Sequence, residues 1–343
     1  MERLDYFLKR LLLVVPTFLG ITFACFCLTL FIPGGPVEQA MLRMRGAGGA
    51  GGEVQTKAIS KEQIKWLNEH YDRDKPIYKQ YWKWLWHYRL GLTMPSYQYT
   101  NKTAWQLIQG RFRVSLIFGV LGFFLTYLVC IPLGITKALR DGGSFDLVSS
   151  LIVFVGYAIP AFAFGMLLKM MFCGTVDGFL DWFPVAGFTS QYYETLGTWG
   201  KVKDIAMHMF LPVLCYMIGN FAVLTVLMKN SLLEHIGRDY IRTVLAKGGT
   251  PRRAIWGHAL RNSLIPIVTG FGGILTIMFA GSVLIERVFE IPGMGVLSLE
   301  AITNRDFPVF LGIVSITSVL GLIGNILSDF CYILVDPRIN FQQ

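Results

Sequence analysis

The chain carries little charge. Only 15% of its 343 residues are Asp, Glu, Lys or Arg, whereas 53% are hydrophobic, and the mean hydropathy is +0.50. A soluble domain has closer to about a quarter charged residues. Several apolar runs reach the roughly 18–20 residues that a spanning helix needs, and they lack the short alternating segments of a membrane β-barrel. The composition predicts an all-α polytopic membrane protein.

The sequence also lacks the common motifs of catalysis and energy conversion. It has no GxxxxGK(S/T) phosphate-binding loop, so we expect the chain not to bind ATP itself. HExxH and GxSxG are missing, the five His residues are scattered, and the six Cys residues show no metal-ligand spacing. The apolar runs show no paired carboxylates or buried charge pairs of the kind that a proton-coupled carrier uses. We expect no enzyme activity, cofactor or metal in this chain.

Six apolar runs predict six transmembrane helices. The third run contains Pro160, which predicts a kink. Lys169 lies near the end of that run, and we expect it to snorkel to the outer interface. The predicted spans are Leu11–Ile32, Val114–Leu139, Phe145–Cys173, Met207–Leu227, Leu264–Ile285 and Val309–Val335.

Six spans place both ends of the chain on one side of the membrane. Lys and Arg are concentrated in the short segments on that side, which predicts cytoplasmic termini in a bacterial inner membrane. The same bias explains the net charge of +9 better than nucleic-acid binding does. We divide the chain into a cytoplasmic N-terminus with the first span (1–33), a long periplasmic loop with short helices (34–111), a five-helix core (112–335) and a cytoplasmic C-terminus (336–343).

The long periplasmic loop contains a cluster of aromatic residues. Trp and Tyr favour the headgroup level of a bilayer, so one interpretation is a helix that lies on the outer membrane surface. The other interpretation is a lid, or a platform for an extracytoplasmic partner. The cluster consists of Tyr78, Tyr81, Trp82, Trp84, Leu85, Trp86 and Tyr88.

The cytoplasmic loop 230–263 is basic and has a helical pattern, which a simple connection would not need. Gly248-Gly249 supplies the positive φ that ends a first helix. Thr250 is a suitable N-cap and Pro251 a suitable first residue for a second helix. Arg252 and Arg253 then lie in a first turn, where the helix dipole disfavours cations by a few tenths of a kcal/mol each. An acidic or carbonyl-rich partner, anionic lipid, or topogenic charge alone would explain them.

Four stretches resemble the permease subunits of bacterial ABC importers of the oligopeptide/dipeptide/nickel family. The first, which resembles that family's cytoplasmic EAA loop, is Asp239-Tyr-Ile-Arg-Thr-Val-Leu-Ala-Lys-Gly248 followed by His258-Ala-Leu-Arg-Asn-Ser-Leu-Ile-Pro266. The others are Lys9-Arg-Leu-Leu-Leu-Val-Val-Pro-Thr17, then Glu286-Arg-Val-Phe-Glu-Ile-Pro-Gly-Met-Gly295 with Asn304-Arg-Asp-Phe-Pro308, and finally Asp329 with Leu334-Val-Asp-Pro-Arg338. Pro33-Gly-Gly-Pro-Val37 and Gly156-Tyr-Ala-Ile-Pro-Ala-Phe162 are most similar to the B-type permease of the Yej (microcin C) branch.

The resemblance implies a type I ABC importer permease fold and a set of partners. These are a second, C-type permease, one or two cytoplasmic ATPases that bind ATP and Mg, and a periplasmic or lipid-anchored solute-binding protein. The EAA loop would dock on an ATPase, with Gly248 as its turn. The expected coupling residues are Arg242, Thr243, Val244, Ala246, Lys247, Gly248, Thr250, Pro251, Arg252 and Arg253. Arg242-Thr243-Val244 stands where the general pattern has Glu-Ala-Ala, so no salt bridge of that Glu is carried over.

Two other functions stay open at this point. The chain could be a stand-alone channel or ion-coupled carrier, or a membrane receptor that signals through the same loop. The substrate class is also open among oligopeptides, microcin-like peptides, dipeptides, nickel chelates and opines. The aromatic cluster, Pro132 and Pro160 are candidates for substrate contact. Gly270, Gly272, Gly273 and Gly281 are candidate hinges, although close helix packing explains such glycines equally well.

Overall fold

The structure is a computed structural model that describes residues 2–32, 74–99, 101–176, 180–270 and 281–335. Helices dominate these ranges, and no β-strand occurs in them, which confirms the all-α prediction. The helices used below are α1 (Glu2–Phe31), α2 (Ile77–Trp86), α3 (Ala104–Leu139), α4 (Ser144–Ala158), α5 (Ala161–Phe172), α6 (Thr198–Ile236), α7 (Asp239–Ala246), α8 (Pro251–Ala254), α9 (Leu260–Ser263), α10 (Ile265–Thr269), α11 (Val283–Val288), α12 (Met294–Thr303) and α13 (Phe307–Val335).

Within the described ranges, four helices are long and apolar enough to cross a membrane: α1, α3, α6 and α13. The pair α4 and α5 would make a fifth span, although the two helices are bent by 98°. The predicted fifth span, 264–285, includes residues 271–280, which lie outside the described residues. The glycine-rich stretch 46–52 of the predicted periplasmic loop also lies outside them.

The third predicted span is broken, not merely kinked. Pro160 has no N–H to donate to a helix, and the residue before a proline is pushed out of the helical region. Ile159 accordingly adopts an extended conformation (φ −89°, ψ 121°). The first helix therefore ends at Ala158, and a new helix begins at Ala161.

Other helices extend beyond their predicted spans, as α3 and α6 show. Helix α3 begins at Ala104, inside the predicted periplasmic loop, because Thr103 and Gln106 form a capping box. Thr103 N donates to Gln106 Oε1 at 3.0 Å, and Gln106 N donates to Thr103 Oγ1 at 3.3 Å. Helix α6 runs on to Ile236, so residues 230–236 of the predicted coupling loop are helical. Ser231 and Leu232 are buried there, and their burial stabilises this last part of the helix.

The chain forms two compact units. The first contains residues 1–11, 112–296 and 320–343, and the second contains residues 12–111 and 297–319. In the first unit, one core cluster surrounds Phe118 and Cys215, and another surrounds Met228 and Leu232. Arg10 and Asp329, from the first and last recognised motifs, form an ion pair in this unit. In the second unit, the core is built from Phe26, Tyr81, Trp84, Leu85 and Leu311.

Candidate functional site

The turn after α7 has the geometry that the sequence predicted. Gly248 adopts φ +80°, which L side chains rarely do. Gly249 N donates to Val244 O and Gly248 N donates to Leu245 O, both at 3.0 Å. These two bonds form a Schellman motif, which satisfies the last carbonyls of the helix. The chain therefore reverses sharply at Gly248, and the carbonyls of Val244 and Leu245 accept hydrogen bonds from the turn.

The second short helix also begins as predicted. The Thr250 side chain accepts a hydrogen bond from Arg253 N at 3.3 Å, and Pro251 is the first helical residue. After α8, residues 255–259 form a single π-helical turn that leads into α9. π-Helical turns are rare in proteins, and those that occur are often found at functional sites. Ser231 Oγ on α6 donates to Ser263 O at 2.9 Å and joins the end of this segment to the long helix.

Helix α7 is held on the core by one face. Ile241 is 3% exposed, and Tyr240 and Val244 pack beside it against the cluster around Met228. The Tyr240 hydroxyl lies 3.1 Å from His235 Nδ1 at the end of α6. Burial of these side chains orients α7 rigidly relative to α6. Its opposite face is left free to contact another molecule.

Nine of the ten predicted coupling residues are exposed, on α7 itself or in the turn and the short helix that follow it. Val244 is the exception, because its side chain is half-buried against the core cluster and lies next to Gly249. The structure adds Leu245 and Trp256, which are 42% and 53% exposed. Neither residue was predicted, because an apolar residue in an apolar pattern carries no sign of which way it points. We define the coupling surface as Arg242, Thr243, Leu245, Ala246, Lys247, Gly248, Thr250, Pro251, Arg252, Arg253 and Trp256.

The coupling surface combines apolar and basic groups. Arg242 Nη1 lies 3.6 Å from Asp239 Oδ1, but both side chains are largely exposed, so this pair contributes little to stability. Lys247, Arg252 and Arg253 are exposed as well. Apolar side chains with a basic rim match the general anatomy of a protein-binding surface.

A buried charge cluster lies near the coupling segment, residues 239–263, although the sequence predicted no buried charge pair. Lys137 is 1% exposed; its Nζ lies 3.1 Å from Asp146 Oδ1 and donates to Ser150 Oγ at 2.7 Å. Lys229 Nζ reaches Asp146 Oδ2 and Asp141 Oδ1, each at 2.7 Å. Lys229 is 83 residues away from Asp146, and Lys137 lies on a different helix from Asp146, so no helical spacing in the sequence indicated the cluster. The cluster ties together α3, α4 and α6.

The turn that precedes α12 is organised around a buried carboxylate. Glu286 is 1% exposed and accepts hydrogen bonds from Val296 N at 2.8 Å, Ser282 N at 3.2 Å and Ser115 Oγ at 3.3 Å. Burial raises the pKa of Glu286, and the backbone N–H donors oppose that rise. A Cβ atom at Gly295 would lie 3.0 Å from Glu286 Oε2, so the motif needs glycine there.

Lys169 contacts the same turn. Its Nζ donates to Val288 O at 2.9 Å and lies 3.6 Å from Glu290 Oε1. The ammonium group thus bonds a backbone carbonyl of α11, while snorkelling of Lys169 to the outer interface stays a prediction. This contact connects α5 to the recognised Glu286 motif.

A cavity of about 220 Å³ lies between α3 and α6 in the first unit. Gly119 and Gly122 leave room on one side, while Tyr127, Tyr216 and Asn220 supply polar groups. The predicted hinge Gly270 lines it, whereas Pro132 and Pro160 do not. Gly272 and Gly273 lie outside the described residues, and Gly281 belongs to the Glu286 turn. This cavity is a better candidate for solute contact than either proline.

An all-α membrane protein with no catalytic motif, an exposed basic loop and an interhelical cavity has the features of a transport subunit. Comparison with known proteins agrees: the chain belongs to the family described as binding-protein-dependent transport system inner membrane component, which matches residues 130–341. The resemblance inferred from the four motifs is thus confirmed. Membership of a transport family also disfavours the stand-alone carrier and the receptor.

Individual relatives match nearly the whole chain. The inner membrane ABC transporter permease protein YejB of Escherichia coli is 38% identical, and the alignment covers 98% of this chain and 99% of the relative's length. The peptidoglycan transport system permease protein YejB of Agrobacterium fabrum is 35% identical, with 98% of each chain covered. The dipeptide transport system permease protein DppB of Escherichia coli is 34% identical over 99% of this chain and 100% of its own.

Proposed function

We propose that this permease subunit imports peptides or peptide-like compounds, driven by a separate ATPase that docks on the coupling surface. The observation that carries the proposal is the rigid turn at Gly248, which presents basic and apolar side chains away from the core. The names of the relatives support the substrate class: one is a dipeptide permease and another a peptidoglycan permease. A second, C-type permease would complete the translocation path, and a periplasmic or lipid-anchored binding protein would deliver the solute.

We propose that both termini face the cytoplasm. The ion pair between Arg10 and Asp329 supports this topology, because it holds the start of α1 and the end of α13 at one level. The charge cluster likewise joins the end of α3 and the start of α4 to Lys229, which lies on α6 seven residues before the end of that helix. With the basic residues of these ends on one side, the positive-inside rule favours the cytoplasm for them.

The long helix α6 provides a route from the coupling surface to the cavity. Its 39 residues span about 58 Å at 1.5 Å per residue. One end carries α7 through the buried Ile241, and its middle supplies Tyr216 and Asn220 to the cavity. A displacement of the coupling surface by a closing ATPase pair would move α6 and thereby change the cavity walls. The buried charge cluster would make α3 and α4 follow the same movement.

Co-expression with the second permease, a P-loop ATPase and the binding protein tests the proposal. We expect Leu245→Asp and Trp256→Ala to release the ATPase from the purified complex and to abolish ATP-dependent peptide uptake into proteoliposomes. Trp199→Ala is the matched control, because Trp199 is 81% exposed but lies at the other end of α6. Retention of the ATPase and of uptake in both coupling variants would contradict the docking assignment.

A further inference from the structure

Helix α2 presents a ridge of aromatic side chains away from the second unit. Tyr78, Trp82 and Trp86 follow one another at four-residue spacing and are 64%, 56% and 69% exposed. The two indole rings pack edge to face, with centroids 6.1 Å apart. Because residues four apart share one face of a helix, the ridge is continuous. Aromatic side chains of this size are seldom left in water as a group.

The opposite face of α2 shows where the helix lies along α1. The Tyr81 hydroxyl lies 2.8 Å from Thr22 Oγ1, and the Tyr81 and Trp84 rings lie 5.6 and 5.7 Å from the Phe26 ring. Thr22 and Phe26 precede Phe31, the last residue of α1, by nine and five residues. At 1.5 Å per residue, these contacts lie about 14 and 8 Å inside the end of the spanning helix.

Helix α13 gives the same depth independently. Leu311 belongs to the core cluster that contains Tyr81 and Trp84, and it follows Phe307, the first residue of α13, by four residues. This contact therefore lies about 6 Å inside the start of α13. Two spanning helices thus extend past α2 at the same end. The helix lies below the level of their ends, where a bilayer changes from headgroups to acyl chains.

The surface around the ridge is suited to lipid. Phe23, Leu28 and Phe31 of α1 are 42%, 62% and 76% exposed, as expected for a span that faces acyl chains. The Phe23 ring contacts the edge of Tyr81 at 5.1 Å, so this apolar surface continues to α2. Exposed Lys79, together with His87 and Arg89 just beyond the helix, supplies groups that can meet lipid phosphates.

We propose that α2 binds the bilayer interface, with Tyr78, Trp82 and Trp86 inserted among lipid headgroups and upper acyl chains. Under the topology proposed above, this is the outer leaflet. Of the two interpretations of the aromatic cluster, the depth favours the membrane over a protein platform, because a soluble partner would have to reach below the ends of α1 and α13. The helix would thereby fix the start of the described external segment 74–99 to the membrane surface.

Tryptophan fluorescence of the complete transporter in nanodiscs tests this proposal. The chain holds eight Trp residues, so the contribution of the ridge is obtained by subtracting the emission of Trp82→Phe/Trp86→Phe. We expect phospholipid brominated near the glycerol to quench most of this contribution. Lipid brominated near the acyl terminus should quench it less, and aqueous acrylamide should quench it weakly. Trp199→Phe is the control, since that residue is 81% exposed in a different external segment.

Two results would overturn the lipid assignment. One is ridge emission that brominated lipid leaves unchanged, and the other is strong acrylamide quenching that only the solute-binding protein abolishes. The second result would identify α2 as a protein platform. Neither measurement depends on ATPase docking or uptake, or on which leaflet is involved. Failure of this proposal is therefore distinguishable from failure of the proposed function or topology.

Discussion

The coupling surface depends on two adjacent glycines that the structure distinguishes clearly. At Gly249, an added Cβ would lie 2.8 Å from both Val244 Cγ1 and Val244 O. Real Cβ atoms do not approach a backbone oxygen so closely, so Gly249→Ala must break the hydrogen bond from Gly249 N to Val244 O. Overpacking of this kind costs about 1–3 kcal/mol, and the lost hydrogen bond adds about 0.5–1.5 kcal/mol.

Gly248→Ala is a milder change of a different kind. Nothing lies within 4 Å of the added Cβ, but the backbone has φ +80°. An L side chain in that region costs roughly 1–2 kcal/mol. Since 1.4 kcal/mol is a factor of ten in an equilibrium, we expect Gly248→Ala to weaken ATPase binding by about five- to thirtyfold. Gly249→Ala should weaken it considerably more.

Gly142→Ala provides a matched control. Gly142 also has a positive φ (+71°) with open space around it, and it lies in the short loop between α3 and α4. The backbone strain is the same, but the residue is not on the coupling surface. We measure the binding of purified ATPase to the permease pair in nanodiscs, and ATP-dependent uptake. Both should decrease in the order Gly142→Ala, Gly248→Ala, Gly249→Ala, with Gly249→Ala the weakest. Equal loss in Gly142→Ala and Gly248→Ala, or wild-type binding by Gly249→Ala, would refute the reasoning.

Three further predictions concern buried carboxylates and a close helix contact. Asp146→Asn leaves the buried Lys137 and the partly buried Lys229 without their shared carboxylate. It should destabilise the complex by roughly 3–5 kcal/mol, measured as a lower thermal unfolding midpoint. Glu286→Gln should loosen the turn before α12, at about 1.5–3 kcal/mol per lost charge-assisted bond, and increase its proteolysis. Glu290→Gln should not, because Glu290 is exposed. Gly134→Ala, whose Cβ would lie 2.6 Å from Met228 Cβ, should lower stability by about 1–3 kcal/mol. Gly110→Ala, with open space in the same helix, should not.

The local structure of the coupling segment followed from the sequence because its causes are local. Glycine tolerates a positive φ wherever it stands, and a threonine followed by proline caps a helix by contacts within four residues. The turn at Gly248 and the start of α8 at Pro251 are therefore where the pattern predicted them. That an ATPase docks there stays a prediction.

The same segment shows where local reasoning ends. Val244 and Leu245 are adjacent apolar residues, and only the packing of α7 on the cluster around Met228 decides that the first is half-buried and the second exposed. The outward position of Trp256 similarly depends on the π-turn between α8 and α9. Helical periodicity predicts an apolar face, but the rotation of that face is set by its tertiary contacts.

The sequence by itself determined the class of protein, because long apolar runs are a property of composition. It also determined the family, through motifs that are read residue by residue. Only the tertiary structure decided which charges are buried together, since Lys137 and Lys229 meet Asp146 across three helices. It likewise decided the depth of the aromatic ridge on α2, because that depends on contacts with Thr22 and Leu311, far away in the chain. Contacts between residues distant in sequence carry no local signal, and these contacts set the charge cluster and the position of α2.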